Sequence, residues 1–399
     1  MATVKTQVLV SGAGPVGLVT ALKLARAGIP VVIVDSEPAI RDEPRAVVYH
    51  SPVVERLARL GLLEDLKEVG IIKQAYHYWS IDHTLLGHMS FDVLRPEDTE
   101  YPFNLHLGQP ALAAIILRHF LRVPGAEVLW NTRVVGVAPD ADGVRVTTES
   151  SDGNGGFERQ EIHAAWLIGA DGAHSGVRRA LNLKLEGVTW PEWFVATNLR
   201  FDFEAHGYGQ SNVVLDPDHW AIIPRIDKSG LWRCTYREDG ELSEEQVRRR
   251  LPDRYALFAP GLGDCTPVAV SPYRVHDRCA DRFRVGRVLL AGDAAHVVNP
   301  IGGLGLTGGL LDAVSLSDAL IAVIAGRSPD ELLDVWATER RRVFIEVTAP
   351  MAKENRRRIG ERDPGRHQAD VERLRRLTNE PVMAREALLA VFKLVGKNL

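Results

Sequence analysis

The sequence is poor in sulfur: its 399 residues hold four methionines and three cysteines, Cys234, Cys265 and Cys279, with no CxxC pair. An odd, scattered set of thiols excludes a disulfide framework and a cysteine-built zinc site, so no metal is expected and the thiols read as reduced and structural. An excess of one charge is also missing, since 48 Lys+Arg stand against 52 Asp+Glu for a formal net charge of -4. That excludes a basic footprint for nucleic acid or a polybasic membrane surface. The N-terminal MATVKTQ has no apolar signal core, and no run approaches the roughly 20 apolar residues of a membrane span. A cytoplasmic protein without a membrane span follows as the expectation. Internal repeats and long low-complexity linkers are absent too. What is left is a chain long enough for an ample core and about two domains, with small molecules as its partners.

The chain opens as a βαβ unit: a strand over Gln7 to Val10, a glycine turn, a helix from Pro15 to Ala27, and a strand from Val31 to Asp35. Amphipathic helices follow over Ser51 to Leu60 and from Pro110 to about Leu121. From Tyr76 to Phe103 short alternating segments rich in aromatics and histidines predict sheet. VLWNTRVVGVAP and VRVTTES predict two strands, and the polar tip Ser151 to Gly156 predicts an exposed hairpin. Val188 to Pro272 reads as a second, mostly antiparallel sheet, Arg287 to Ala291 as a returning strand, and the chain from Gly308 onward as helical. The charged tail ERDPGRHQADVERLRRL reads as a solvated helix, with pairing to another subunit left open.

The chemistry begins at Gly12-Ala-Gly-Pro-Val-Gly17. Gly12 permits a tight turn, Gly14 lets a pyrophosphate approach, and Gly17 lets helix and strand pack closely. The phosphate would meet the positive end of the helix. Asp35, at the end of the second strand, suits a ribose 2′-hydroxyl and argues against a 2′-phosphate, so the site is expected to hold FAD or NAD. Two further stretches decide between them: LIGADGAHSGVRRAL, from Leu167, and RVGRVLLAGDAAHVVNPIGGLGLTGG, from Arg284. With these in order, nearly the whole chain resembles the class A flavin monooxygenases, the para-hydroxybenzoate hydroxylase family.

The resemblance implies an α/β fold: a Rossmann-like FAD-binding domain with an inserted antiparallel β-sheet substrate domain and C-terminal helices. The FAD-binding parts would span 1–75, 104–187 and 273–325, the substrate segments 76–103 and 188–272, and the C-terminal helical region 326–399. It further implies that Gly12, Gly14 and Gly17 approach the pyrophosphate and Asp35 the ribose, with Arg45 and Gln109 at the pyrophosphate and ribityl region. Asp171 and Asp293 match the family's two Asp motifs, and the segment from Pro300 through Gly305, Leu306 and Thr307 would pass beside the flavin ring, Leu306 and Thr307 offering backbone donors. Thr307 stands where the family often has asparagine, which puts only a side-chain contribution in question.

The implied activity is NADH- or NADPH-dependent reduction of FAD, reaction with O2 to a C4a-hydroperoxide, and hydroxylation of an aromatic or heteroaromatic ring of the phenol or quinolone type, by a monomer or homodimer. Pro300 is a ring-side candidate, and Arg233 loosely matches an arginine near the flavin. His219, His106 and Tyr78 are acid/base candidates by chemistry, with structural roles as the competing reading. Trp220, Arg225 and Tyr78 are candidate substrate contacts. His296 reads as structural. The alternative, a flavin halogenase or reductase on the same scaffold, is weakened because His219-Trp-Ala-Ile-Ile-Pro224 lacks both tryptophans of the halogenase WxWxIP pattern.

Overall fold

A strand with no exposed face has to lie inside a sheet covered on both sides. Val8, Leu9 and Val10 are fully buried in strand Val4–Ser11 of the computed structural model, which describes residues 4–151 and 156–397. This strand pairs in parallel with Val31–Val34 on one side and Phe157–Gly169 on the other. Glu127–Leu129 and Val288–Leu290 extend the parallel sheet at its two sides. Helix Pro15–Arg26 connects the first strand to one neighbour, whereas the other neighbour arrives from far along the chain. The carboxyl ends of the strands therefore part at Gly12, the crevice where such sheets bind ligands. Pro15 begins the helix without cost because the first helical amide needs no partner.

The second sheet has, among the described residues, eight strands, in the spatial order His296–Val297, Ala269–Ala280, Leu185–Arg200, Leu231–Glu238, Ala221–Pro224, Ser211–Leu215, Ala75–Ser80, Leu85–Ser90. Its pairs are antiparallel except Ser211–Leu215 with Ala75–Ser80. The long strands Leu185–Arg200 and Ala269–Ala280 run several residues past the expected borders at 188 and 272.

Several local expectations are corrected. The single strand read from VLWNTRVVGVAP breaks at Asn131, whose φ of 53° turns the chain between Glu127–Leu129 and Thr132–Pro139. Helix Glu244–Ala256 interrupts the region read as sheet; Ser243 and Gln246 cap it reciprocally, and it carries Pro252 inside. The hairpin after Val144–Ser151 is present as a pairing with Phe157–Gly169, while its tip, 152–155, lies outside the described residues. The charged tail is not a solvated helix. Helix Pro364–Asn379 buries Val371, Leu374 and Leu377, and Leu374 and Leu377 pack with Met89, Phe91 and Leu215.

Helix Leu304–Ile324 is long and apolar enough to cross a membrane, contrary to the expectation that no segment would be. Here it is mostly buried in protein, and at its middle lies the fully buried carboxylate of Asp312. Asp312 Oδ2 is 2.6 Å from His296 Nε2 and accepts from the Gly292 amide at 3.1 Å, while Oδ1 accepts from Arg340 Nε at 2.6 Å. Arg340 also donates to the carbonyls of Leu394 and Val395. Although burial opposes its charge, His296 and Arg340 hold the Asp312 carboxyl down to about 2.

Removing one member of a buried ion pair strands the others, at a cost of about 3–5 kcal/mol. Asp312→Ala is expected to lower unfolding stability by that order in urea titrations. Because the folded carboxyl titrates below its ordinary value of 3.8, its contribution is complete above that value and is lost as pH falls toward about 2. The wild type therefore loses stability across this acid window more steeply than D312A, and equal slopes would refute the assignment.

Candidate active site

The three glycines of the turn do different work. A Cβ on Gly12, at φ +109°, would sit 2.3 Å from the Ala170 carbonyl oxygen, and one on Gly17 would sit 1.9 Å from that of Gly12. Both contacts belong to the packing of the turn on its own strands. Gly14 differs: a Cβ there meets nothing within 4 Å, and the residue caps helix Pro15–Arg26, which has no side-chain cap. The free first-turn amides and the open space coincide, as an anion site requires. Asp35 closes the loop, its Oδ2 accepting from the Ala13 amide at 2.6 Å and its Oδ1 from the Glu37 amide at 2.9 Å.

Gly14 opens into a cavity of about 1680 Å³ that runs from this turn to the second sheet. Gly12, Asp35, Arg45, Gln109, Asp171, Asp293, Pro300, Gly305 and Leu306 all line it, together with Arg233 and Tyr78 from the substrate half. Gly17 and Thr307 lie behind the wall. Thr307 Oγ1 donates to the Gly303 carbonyl at 2.8 Å, so its side chain is spent inside the first helical turn.

Asp171 Oδ2 accepts from the amides of Gly176 and Val177 at 2.8 and 3.2 Å. Its Oδ1 is buried with no partner among the described residues, a costly state that marks a place for a donor. Burial pushes the carboxyls of Asp171 and Asp293 up, and Arg45 and His296 oppose this at Asp293. Asp293 is solvent-accessible and lines the cavity. Gly302 and Gly303 take φ of +97° and +67°, and Gly303 starts helix Leu304–Ile324 without a side-chain cap, leaving the amides of the first turn as donors beside Pro300. An open phosphate cradle, two carboxylates facing inward and an uncapped helix start at a ring-side turn fit FAD.

The substrate half departs further from expectation. Arg233 lines the cavity, but its Nε donates to Asn198 Oδ1 and its Nη1 to the Arg45 carbonyl, each at 2.7 Å; burial lowers its pKa to about 10. The guanidinium thus ties the Arg45 loop to the second sheet. His219 lies outside the cavity, with Nδ1 2.5 Å from Arg254 Nη1. Trp220 is also outside, packed edge-on against Phe194 at 4.7 Å. Arg225 follows a strand whose Ile222 and Pro224 line the cavity, so alternation turns it to the other face, where it pairs with Glu204 at 2.9 Å. His106 is fully buried, with Nδ1 donating to the Arg225 carbonyl at 2.9 Å, and burial drives its pKa down to about 3.

The residue chain that sequence reasoning missed starts at the ring-side turn. His50 Nε2 donates to the Gly302 carbonyl at 2.7 Å, which leaves Nδ1 to accept from Asn104 Nδ2 at 3.1 Å. Burial lowers the His50 pKa to about 4, so the ring is neutral. Asn104 Nδ2 gives its second proton to the Tyr76 hydroxyl at 2.9 Å, and Asn104 Oδ1 accepts from the Ser51 amide at 3.1 Å. With Asn104 saturated, the Tyr76 proton is free to point into the cavity that Tyr76 lines. Burial raises the Tyr76 pKa and keeps that proton in place. Lys73, fully buried below, stacks its Nζ on the Tyr76 ring 2.7 Å from the centroid. Burial drives its pKa well down.

A family model described as an FAD binding domain matches residues 5–350. The para-nitrophenol 4-monooxygenase of Pseudomonas sp. (strain WBC-3) is 44% identical over 98% of this chain and 96% of its own. The 6-hydroxy-3-succinoylpyridine 3-monooxygenase HspB of Pseudomonas putida (strain DSM 28022 / S16) is 41% identical over 97% of each. Among solved structures, p-nitrophenol 4-monooxygenase PnpA from Pseudomonas putida DLL-E4 superposes with a TM-score of 0.95 over the full length of both chains, at 41% identity.

The glycine geometry separates binding from folding. Gly14→Ala places its methyl in the cavity, so FAD affinity is expected to fall about tenfold or more while the apoprotein melts within a few degrees of wild type. Gly17→Ala drives a methyl into backbone and is expected to unfold the apoprotein. Equal melting losses in the two variants would contradict this division.

Proposed function

The chain belongs to the FAD-binding-domain family and is an FAD-dependent aromatic-ring monooxygenase, and from that premise we propose that it hydroxylates a phenol or hydroxypyridine held as its oxyanion. Bound FAD supplies electron transfer from NADH or NADPH and the activation of O2. Arg45, Gln109, Asp171, Asp293 and the amides of Gly305 and Leu306 would hold it, and Asp35 would shape the turn at its pyrophosphate. The observation that carries the substrate reading is the fixed direction of the Tyr76 proton. His50 is oriented by the Gly302 carbonyl, Asn104 by His50, and Tyr76 by Asn104.

A tyrosine that can only donate favours an acceptor carrying charge, because a hydrogen bond to an ionised oxygen is about twice as strong as one between neutral groups. An oxyanion on the ring raises its electron density, which is what an electrophilic oxygen donor requires. The nitrophenol and hydroxypyridine named for the two relatives are rings of this type. Pro300 and the glycine turn would flank the flavin, and the apolar walls would keep water out. A supply of reduced nicotinamide and the free cysteines suit a cytoplasmic enzyme.

The test uses the FAD-loaded protein under air with NADH or NADPH and a panel of phenols and hydroxypyridines, following a product that gains one oxygen atom. No ring-stimulated NAD(P)H oxidation with any member would overturn the reading. Tyr76→Phe is expected to retain FAD and lose about 10- to 100-fold in substrate-stimulated turnover, the worth of one hydrogen bond to a charged group. The spectrum of bound nitrophenol is the second readout: the ionised fraction at a given pH falls in Y76F. An unchanged fraction would remove Tyr76 from the role.

A further inference from the structure

The far wall of the cavity comes from the C-terminal helix Pro364–Asn379. Its apolar stripe packs against Met89, Phe91 and Leu215, and this seating brings Arg373 to the cavity beside Leu374 and Leu377. Arg373 is half-buried and makes no hydrogen bond or ion pair among the described residues. The carboxylates around it are committed elsewhere. Asp370 accepts from Arg357 Nη1 and Nη2 at 2.8 and 2.9 Å, Glu361 accepts from Arg357 Nη1 at 2.6 Å, and Glu354 binds Arg357 as well as Arg358, each at 2.8 Å. Arg358 lines the same wall and adds like charge.

Across the slot, Tyr76 and Tyr78 share one face of their strand, as residues two apart do, with ring centroids 6.5 Å apart. The Tyr76 hydroxyl belongs to the Asn104 chain, whereas the Tyr78 hydroxyl lies in the field of Arg358 and Arg373. The slot is therefore apolar along its length, with a donor at one end and, at the other, a guanidinium that has no hydrogen-bond partner among the described residues, beside the Arg357–Arg358–Glu354–Asp370 ion-pair cluster. A half-buried guanidinium whose donors are not spent on protein groups remains available to a ligand anion. Its flat fork of donors matches a planar group with two oxygens. The arginines proposed from the sequence cannot do this, since Arg233 and Arg225 are already paired.

We propose that Arg373, assisted by Arg358, is the specificity-determining subsite for a carboxylate or nitro substituent on the end of the substrate ring remote from the oxygen held by Tyr76. The assignment rests on the aromatic-hydroxylase reading above. It adds which rings are chosen: those bearing a planar group with two oxygens.

The test titrates the FAD-loaded enzyme, without nicotinamide, with 4-nitrophenol, 4-hydroxybenzoate and its uncharged amide, following the flavin absorbance. Wild type is expected to bind the carboxylate and the nitro compound about tenfold or more tighter than the amide. Arg373→Met is expected to bring the carboxylate-to-amide ratio of Kd values close to one, and R373K to restore part of the preference. Should R373M fail to hold FAD, R373Q is read in the same way. A preference that survives R373M or R373Q, or a loss equal for all three ligands, overturns the subsite, as does a wild type that binds the three alike. If no phenol perturbs the wild-type flavin, the hydroxylase reading fails and the subsite falls with it.

Discussion

The flavin-side architecture converges on one buried carboxylate. Asp312 holds the Gly292 amide, His296 and Arg340 at once, and Arg340 passes the restraint to the carbonyls of Leu394 and Val395. The turn that carries Asp293, the helix whose uncapped start faces the cavity, and the end of the described chain are thereby fixed to one another. Apolar side chains could fill the same volume and cost less desolvation. They could not set the direction of an amide and an imidazole together, and position is what a cofactor site built from backbone donors requires. His296, stacked 4.7 Å from Phe344 and 5.7 Å from Phe283, belongs to this clamp and not to the reacting surface.

A second cation does for the two Asp motifs what Arg340 does for the helix. Arg178 donates from Nη1 to the Ala294 carbonyl and from Nη2 to the Ala173 carbonyl, at 2.9 and 2.7 Å. The turn after Asp171 and the turn after Asp293 are thus held to one guanidinium, although more than a hundred residues of chain separate them. Arg233 repeats the device between the Arg45 loop and the substrate sheet. Most arginines near the cavity are therefore parts of the frame, and charge alone is a poor guide to which cation meets a ligand. The informative property is a donor left over once the internal bonds are assigned.

This explains which parts could be read from sequence. The glycine turn, its flanking strand and helix, and the two Asp turns are local: spacing over some twenty residues encodes them, and they stand where the motif predicts. The break at Asn131 was hidden because a left-handed asparagine inside a β-branched run leaves no periodic trace. Helix Glu244–Ala256 was hidden by Pro252, although Ser243 and Gln246 supplied a capping signal. The substrate half is non-local. His50 meets Gly302 across 252 positions and Tyr76 meets Asn104 across 28, and no spacing rule joins such pairs. In the tail, Val371, Leu374 and Leu377 form a helical stripe, but the surrounding charges outnumber them and favour the solvated reading.

The Tyr76 neighbourhood also constrains what kind of ring can react. His50 and His106 are pushed to about 4 and about 3, and burial lowers the Lys73 amine as well. Each is stabilised without a charge, so a proton leaving the substrate finds no ready acceptor among them. A general base built into this corner would need partial exposure or a carboxylate partner, and the histidines have instead a backbone carbonyl and an amide. On the proposed oxyanion reading, the acidity comes from the substrate itself and from the Tyr76 hydrogen bond that stabilises its ionised form. A ring whose hydroxyl ionises near neutral pH is one that bears an electron-withdrawing group, and such a group withdraws from the carbons an electrophile attacks. Ionisation offsets that loss by returning charge to the ring, which makes oxyanion binding and tolerance of a withdrawing substituent two aspects of one requirement.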